Sequence, residues 1–373
     1  MDKTTMNESL NQILEKLESN YKHYKNAKVK IAITGQSGNG KSSIINALFE
    51  KKMAEVGSTE TTMEIKSYIH NGTELFDLPG CGTPNFPKDN YVDKCELRTY
   101  DAAIIVTANR FLENDLWLIE EMSRLGKPVY VVRSKMDEAV RNEKRDNNLT
   151  EQDVFQKVLL DLEVNLKSVP VKGIYLISSV ERNKWDFNKL FEDIANNLSD
   201  MQKKRFYSDV AILNETALQK KREIAIDIIN YRAIVAAING VNPIPGVDVA
   251  VDVAILLNLS KEIQDIYGLN EEHAKSLEKR IGDSIVITKI KNNIASFASK
   301  FLIKEGILIL LKRFGTSLAA KEVIKYIPFL GQAIAAGIGY KLTRSFGEEL
   351  LDDAENIARQ VLEAGTSSIL NHN

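Results

Sequence analysis

Apolar and polar positions follow two different rhythms along this chain, and the change falls near residue 200. Residues 5–25 carry Leu10, Ile13, Leu14, Leu17, Tyr21 and Tyr24 at helical spacing, and Thr5 with Glu8 resembles a capping box. That apolar stripe needs a partner, and nothing nearby supplies one. From residue 28 to about 199, short β-branched runs alternate with helical stretches. Strands are expected at 28–34, 65–70, 74–78, 102–107, 129–134 and 174–178, with helices at 43–51, 115–125, 150–166 and 187–198. The runs AAIIVT, VYVV and IYLIS are continuously apolar, the mark of central strands covered by helices on both faces. The pattern predicts an α/β fold with a doubly wound sheet, whose ligands sit at the carboxyl ends of the strands.

Beyond residue 200 strand character fades. The basic clusters Lys203-Lys204-Arg205 and Lys220-Lys221-Arg222 sit in a long amphipathic helical segment, followed by an alanine- and isoleucine-rich half. Breaks at Asn242-Pro243-Ile244-Pro245-Gly246 and Tyr326-Ile327-Pro328-Phe329-Leu330-Gly331 predict two helical hairpins, and 344–362 reads as a charged amphipathic helix. The expected division is an N-terminal helix (1–27), an α/β domain (28–200) and an all-helical domain (201–373). The uncharged stretch 326–340 is proline-interrupted and shorter than the roughly 20 residues that a spanning helix needs. A buried hairpin is the expectation. Peripheral attachment is the alternative: the basic clusters could meet anionic lipid, but a solvated helix face is the expected reading of them.

The 373 residues are 27% charged and 44% hydrophobic with a net charge of −2, which suits two domains and excludes a dedicated nucleic-acid binder. Two cysteines outside any C-x-x-C pair, Cys81 and Cys95, and four scattered histidines point to a reducing, cytoplasmic setting without a zinc site. The opening Met-Asp-Lys-Thr-Thr offers no apolar signal core, and Asp2 is not the glycine of an N-myristoylation motif.

Chemistry enters with Gly35-Gln36-Ser37-Gly38-Asn39-Gly40-Lys41-Ser42, which fits the phosphate-binding pattern G-x-x-x-x-G-K-[ST]. A strand, a glycine loop and a helix opening at Ser43 aim backbone N–H groups and the positive end of a helix dipole at one point. Lys41 is expected to reach the β/γ-phosphates of a nucleoside triphosphate, and the Ser42 hydroxyl to ligate Mg²⁺. Asp77-Leu78-Pro79-Gly80 fits the D-x-x-G of a γ-phosphate-sensing switch, with Asp77 holding Mg²⁺ through water and Gly80 presenting its amide. Thr59, Thr61 and Thr62 are the candidates to complete the metal's coordination. Ser134-Lys135-Met136-Asp137 stands where a guanine-reading N-K-x-D belongs, with Ser134 in the asparagine position. Asp137 can accept from guanine N1–H and the exocyclic amine, and the Lys135 stem would cover the base. Ser178-Ser179 fits the loop whose backbone meets the base. Cys81 follows Gly80, where Ras-like switches carry a water-orienting glutamine. A thiol cannot do that work, so either hydrolysis is slow or another group completes the site.

Leu78 to Pro87 (LPGCGTPNFP), Tyr100-Asp101 before AAIIVTANRF, Asn114-Asp115, VVRSKMD and Trp185-Asp186-Phe187 together resemble the immunity-related GTPases, dynamin-like defence GTPases. The likeness is strong over 28–200 and looser beyond. It implies a P-loop GTPase domain joined to an all-helical domain that also receives the N-terminal helix. It further implies Mg²⁺-dependent hydrolysis of GTP to GDP, homodimers or larger homo-oligomers formed through the G domain in the GTP state, and activation across that interface. The family's switch-I glutamate matches Glu60 and its switch threonine Thr62. The expected catalytic residues are then Glu60, Lys41 and Thr62, with Ser42, Thr62 and Asp77 around Mg²⁺. The expected nucleotide contacts are Gly35, Ser37, Gly38, Asn39, Gly40, Lys41, Ser42, Ser43, Asp77, Gly80, Ser134, Lys135, Asp137, Ser178 and Ser179. A cytoplasmic protein peripheral on intracellular membranes is the expected setting. The alternative is a monomeric switch whose helical domain binds an effector and which needs an external activator.

Overall fold

The continuously apolar runs become the centre of one sheet. In the computed structural model, which describes residues 3–54, 64–108, 113–167, 169–241, 248–282, 285–319 and 328–370, the chain divides into two units. One is Ala27–Leu213, and the other is Met1–Asn26 with Asn214–Asn373. After α1 (Lys3–Asn26) come β1 (Val29–Thr34), α2 (Lys41–Phe49), β2 (Lys66–His70), β3 (Thr73–Asp77) and α3 (Lys88–Lys94). A 3-10 turn at Leu97–Thr99 leads to β4 (Ala102–Thr107), α4 (Glu113–Arg124), β5 (Val129–Arg133), α5 (Met136–Asn147) and α6 (Glu151–Asn165). β6 (Gly173–Leu176), α7 (Phe187–Asn196) and α8 (Asp200–Asp209) complete the first unit.

The sheet order is β2-β3-β1-β4-β5-β6, with β2 antiparallel to β3 and every other pair parallel. β4 and β5 are buried at every position, as central strands must be, while edge strand β2 exposes Lys66, Ser67 and Ile69. Two helices went unread in the sequence. α3 is only seven residues long, and α5 is polar except for a short stripe of Met136, Ala139 and Val140 packed in one cluster with residues of α6.

The expected domain boundary at 200 needs correction, because α8 belongs to the α/β unit. Arg205 and Asp209 form a buried ion pair one turn apart on α8. Asp209 Oδ2 also accepts from the backbone N–H groups of Gly72 (3.0 Å) and Thr73 (2.8 Å), pinning the β2–β3 turn. Gln202 donates to the Lys28 carbonyl at 2.9 Å. The expected continuous helical segment is also broken, at residues 210–214.

The second unit is helical throughout its described residues: α1, then α9 (Glu215–Val241), α10 (Asp248–Tyr267), α11 (Glu271–Ile281), α12 (Ile285–Phe301), α13 (Lys304–Ala319) and α14 (Pro328–Leu370). α14 runs closely along α9. A Cβ on Gly347 would come within 2.6 Å of Ile229 Cγ2, so the two helices meet where only glycine fits. The stripe of α1 finds its partner in α9, where Tyr21 stacks on Tyr231 at a centroid distance of 4.6 Å. Tyr21 also donates to Glu262 of α10, which accepts from Arg232 at 2.9 Å. The second basic cluster is not one solvated face, because its middle residue is internal. Lys221 is buried and donates to the Ile266 carbonyl at 2.6 Å, capping α10, and Arg222 pairs with Glu355. The expected break at 242–246 lies outside the described residues; of the one at 326–331, residues 326–327 lie outside them while 328–331 open α14 as helix, and α10 packs on α9 as α14 packs on α13. Among the described residues, no helix is long and apolar enough to cross a membrane.

Candidate functional site

β1 delivers the chain into the glycine loop at a point where a side chain cannot fit. Gly35 has φ 137°, and a Cβ there would lie 2.1 Å from the Val106 carbonyl oxygen of β4. Asn39 Nδ2 donates to that same carbonyl at 2.9 Å, so the loop is fastened to the carboxyl end of the neighbouring strand. Gly40 takes the left-handed conformation at the N-cap of α2, with no side-chain cap among the described residues. The first-turn N–H groups of α2 are thereby left for an anion.

Lys41 is buried, donating Nζ to the carbonyls of Gly35 (2.8 Å) and Gln36 (3.3 Å). The same ammonium lies 3.7 Å from Oδ1 of Asp77, at the end of β3 and in register with Ile33 of β1. Burial pushes the Asp77 carboxyl above its usual value, and Lys41 only partly offsets it. Oδ1 is buried without a hydrogen-bond partner among the described residues. A buried carboxylate oxygen without a hydrogen-bond partner beside a phosphate-type loop, with a serine hydroxyl following Lys41 on α2, is a hard-oxygen donor set of the kind that suits hydrated Mg²⁺.

The opposite end of the site is built by β5 and β6. Ser134 is buried, and its hydroxyl donates to the Asn39 carbonyl at 2.6 Å. The anchor expected from an asparagine amide is thus made by a shorter side chain, directly onto the glycine loop. Lys135 adopts the left-handed conformation (φ 57°) and starts α5, which places Asp137 in its first turn. Asp137 Oδ2 accepts from Arg141 Nη2 at 3.1 Å. The Met136 N–H donates to the Ile177 carbonyl, joining this turn to the end of β6. Ser178 turns its hydroxyl inward to accept from the N–H groups of Val180 (3.1 Å) and Glu181 (3.0 Å), so its side chain shapes the loop.

One residue that the sequence did not single out ties these parts together. Arg182 donates to the Ser179 carbonyl (3.1 Å), to the Ala47 carbonyl near the end of α2 (3.0 Å) and to the Glu50 carboxylate (2.6 Å). The guanidinium bridges the Ser178-Ser179 loop to the helix that carries Lys41. Cys81 is buried, and burial pushes its thiol up to about 11, so it stays protonated. Glu60 and the threonines Thr59, Thr61 and Thr62 lie at 55–63, outside the described residues. Asp77 apart, the other expected residues follow β1, β3, β5 and β6 in the chain, beyond the carboxyl ends of the parallel strands.

The family described as interferon-inducible GTPase (IIGP) matches residues 1–341. The chain belongs to the interferon-inducible GTPase family. It is 27% identical over 355 residues to interferon-inducible GTPase 5 of Rattus norvegicus, covering 90% of this chain and 76% of that protein. It is 28% identical over 271 residues to interferon-gamma-inducible GTPase 10 of Mus musculus, covering 69% and 65%. Among solved structures it is similar to the G domain of the T. maritima FeoB iron transporter (23% identity, TM-score 0.29, covering 46% of this chain and 98% of that chain). As a family member with this P-loop fold, the protein binds guanine nucleotide and hydrolyses GTP.

Proposed function

We propose that this GTPase binds GTP between its glycine loop and the Asp137 turn, self-associates through its G domain in the GTP state, and has hydrolysis completed in trans. The observation that carries the reading is Cys81. A buried, protonated thiol after Gly80 cannot orient a water as a glutamine does. Glu60 contributed across a dimer interface is the proposed substitute.

Lys41 exchanges its bonds to the Gly35 and Gln36 carbonyls for β/γ-phosphate oxygens, while the amides from Gly35 to Ser43 surround the phosphates. Ser42, Thr62 and, through water, Asp77 would hold Mg²⁺, which when bound would neutralise charge developing on the phosphates. The Gly80 amide faces the γ-phosphate. Asp137 accepts from guanine N1–H and the exocyclic amine, donors that adenine lacks at that edge, and Lys135 covers the base. The names of the relatives, interferon-inducible and interferon-gamma-inducible, support a defence-type role, for which we propose a cytoplasmic protein acting peripherally on intracellular membranes.

Light scattering of the full chain tests the assembly step. Particle mass rises with a non-hydrolysable GTP analogue and not with GDP if the reading is right. A monomer in both nucleotides would favour the effector-binding switch instead.

A further inference from the structure

The segment that follows Asp77 is held from two sides. Tyr91, fully buried on α3, donates its hydroxyl to the Pro79 carbonyl at 2.7 Å. Its ring packs edge-on against Phe86 (6.4 Å between centroids) and Trp117 (6.2 Å). From the other side, Asn114 at the start of α4 donates Nδ2 to the Cys81 carbonyl at 2.9 Å. Asn114 also fills the space beside Gly82, where a Cβ would lie 2.3 Å from its Nδ2. The loop then closes on itself, with Gly82 N–H donating to Phe86 O (2.9 Å) and Phe86 N–H to Thr83 O (3.0 Å). Lys94 donates to Asn85 O at 2.7 Å.

The carbonyls that carry these bonds flank Gly80. The Pro79 C=O and the Gly80 N–H belong to one planar trans peptide unit, so holding the carbonyl fixes the direction of the amide. Tyr91 takes the carbonyl on the core side, which turns the Gly80 N–H away from α3. Asn114 fixes the peptide unit that follows Cys81 in the same way.

We infer that Tyr91 and Asn114 are positioning residues that preset the Gly80 amide for the γ-phosphate, making this segment a built-in sensor instead of a loop ordered by nucleotide. The inference rests on the reading of Gly80 as a γ-phosphate donor. Tyr91→Phe keeps the ring among its neighbours and removes only the hydrogen-bond donor. In the full chain, affinity for a non-hydrolysable GTP analogue then falls about three- to tenfold, the worth of one hydrogen bond, while GDP affinity stays within about twofold. Asn114→Ala gives the same split, and it carries the test if Tyr91→Phe does not fold. Equal losses for both nucleotides, or no loss for either, overturn the inference.

Gly80→Ala separates the two claims, because among the described residues a Cβ there meets only Thr83 Cγ2, at 3.9 Å, and crowds an approaching γ-phosphate. If Gly80→Ala leaves analogue affinity unchanged, the reading of Gly80 fails and the inference with it. If Gly80→Ala lowers that affinity while Tyr91→Phe and Asn114→Ala do not, only the positioning role fails.

Discussion

Replacing Arg182 by Gln removes a guanidinium that serves the Ser179 carbonyl, the Ala47 carbonyl and the Glu50 carboxylate at once. The Arg182 and Glu50 side chains are only 13% and 11% exposed, so the pair escapes the screening that reduces surface ion pairs to about 0–1 kcal/mol. Removing one partner of a buried pair costs about 3–5 kcal/mol. The glutamine amide recovers part of one hydrogen bond, which leaves a net loss of about 3 kcal/mol. In a unit of this size 1 kcal/mol moves Tm by about 2–4 °C, so the expected fall is about 6–12 °C. Scanning calorimetry of the full chain isolates the relevant transition, because added GDP raises only the unit that binds it. The double variant Glu50→Gln with Arg182→Gln strands no charge and recovers at least half of the loss. A fall of less than about 2 °C in the GDP-sensitive transition, or a double variant no better than Arg182→Gln, refutes the reasoning.

Three further outcomes are expected. Lys41→Ala abolishes nucleotide binding by calorimetric titration, since it removes the ammonium that lies beside both the glycine loop and Asp77. Burial alone would raise the Glu262 carboxyl, but hydrogen bonds from Tyr21 and Arg232 outweigh it and hold it below the ordinary carboxylate range. The stability this group lends is therefore complete above its unfolded value and lost as pH falls below about 4.5, and Glu262→Gln flattens that acid limb of the unfolding profile of the helical unit. Cys81, buried and raised to about 11, resists iodoacetamide at pH 8 in the native protein and reacts once the chain is unfolded; rapid native labelling would contradict its placement.

What could be read from sequence was local. The strand at 102–107 was legible because five of its six positions are apolar, and all six are buried in the centre of the sheet. The glycine loop was legible because strand, loop and helix are contiguous. The position of Ser134 was legible from its place after an apolar strand, whereas its bond to Asn39 spans 95 residues and has no local signature. Arg182 and Glu50 lie 132 residues apart, and Asp209 reaches Gly72 across 137, so no periodicity announces either link. Arg205 was hidden differently, since a run of three basic residues reads as a solvated face while one of them is buried against Asp209. That buried pair is also why the domain boundary moved past α8. Tyr91 sits in a helix too short to show a period, and its importance comes from a carbonyl twelve residues back.

The measurement that bears most directly on the central claim is the specific rate of GTP hydrolysis as a function of protein concentration, for the unaltered chain and for Glu60→Ala. The expected rate per molecule rises with concentration in the unaltered chain and stays low and flat in Glu60→Ala with GTP binding retained. A specific rate independent of concentration in the unaltered chain would contradict completion of the site by a second molecule.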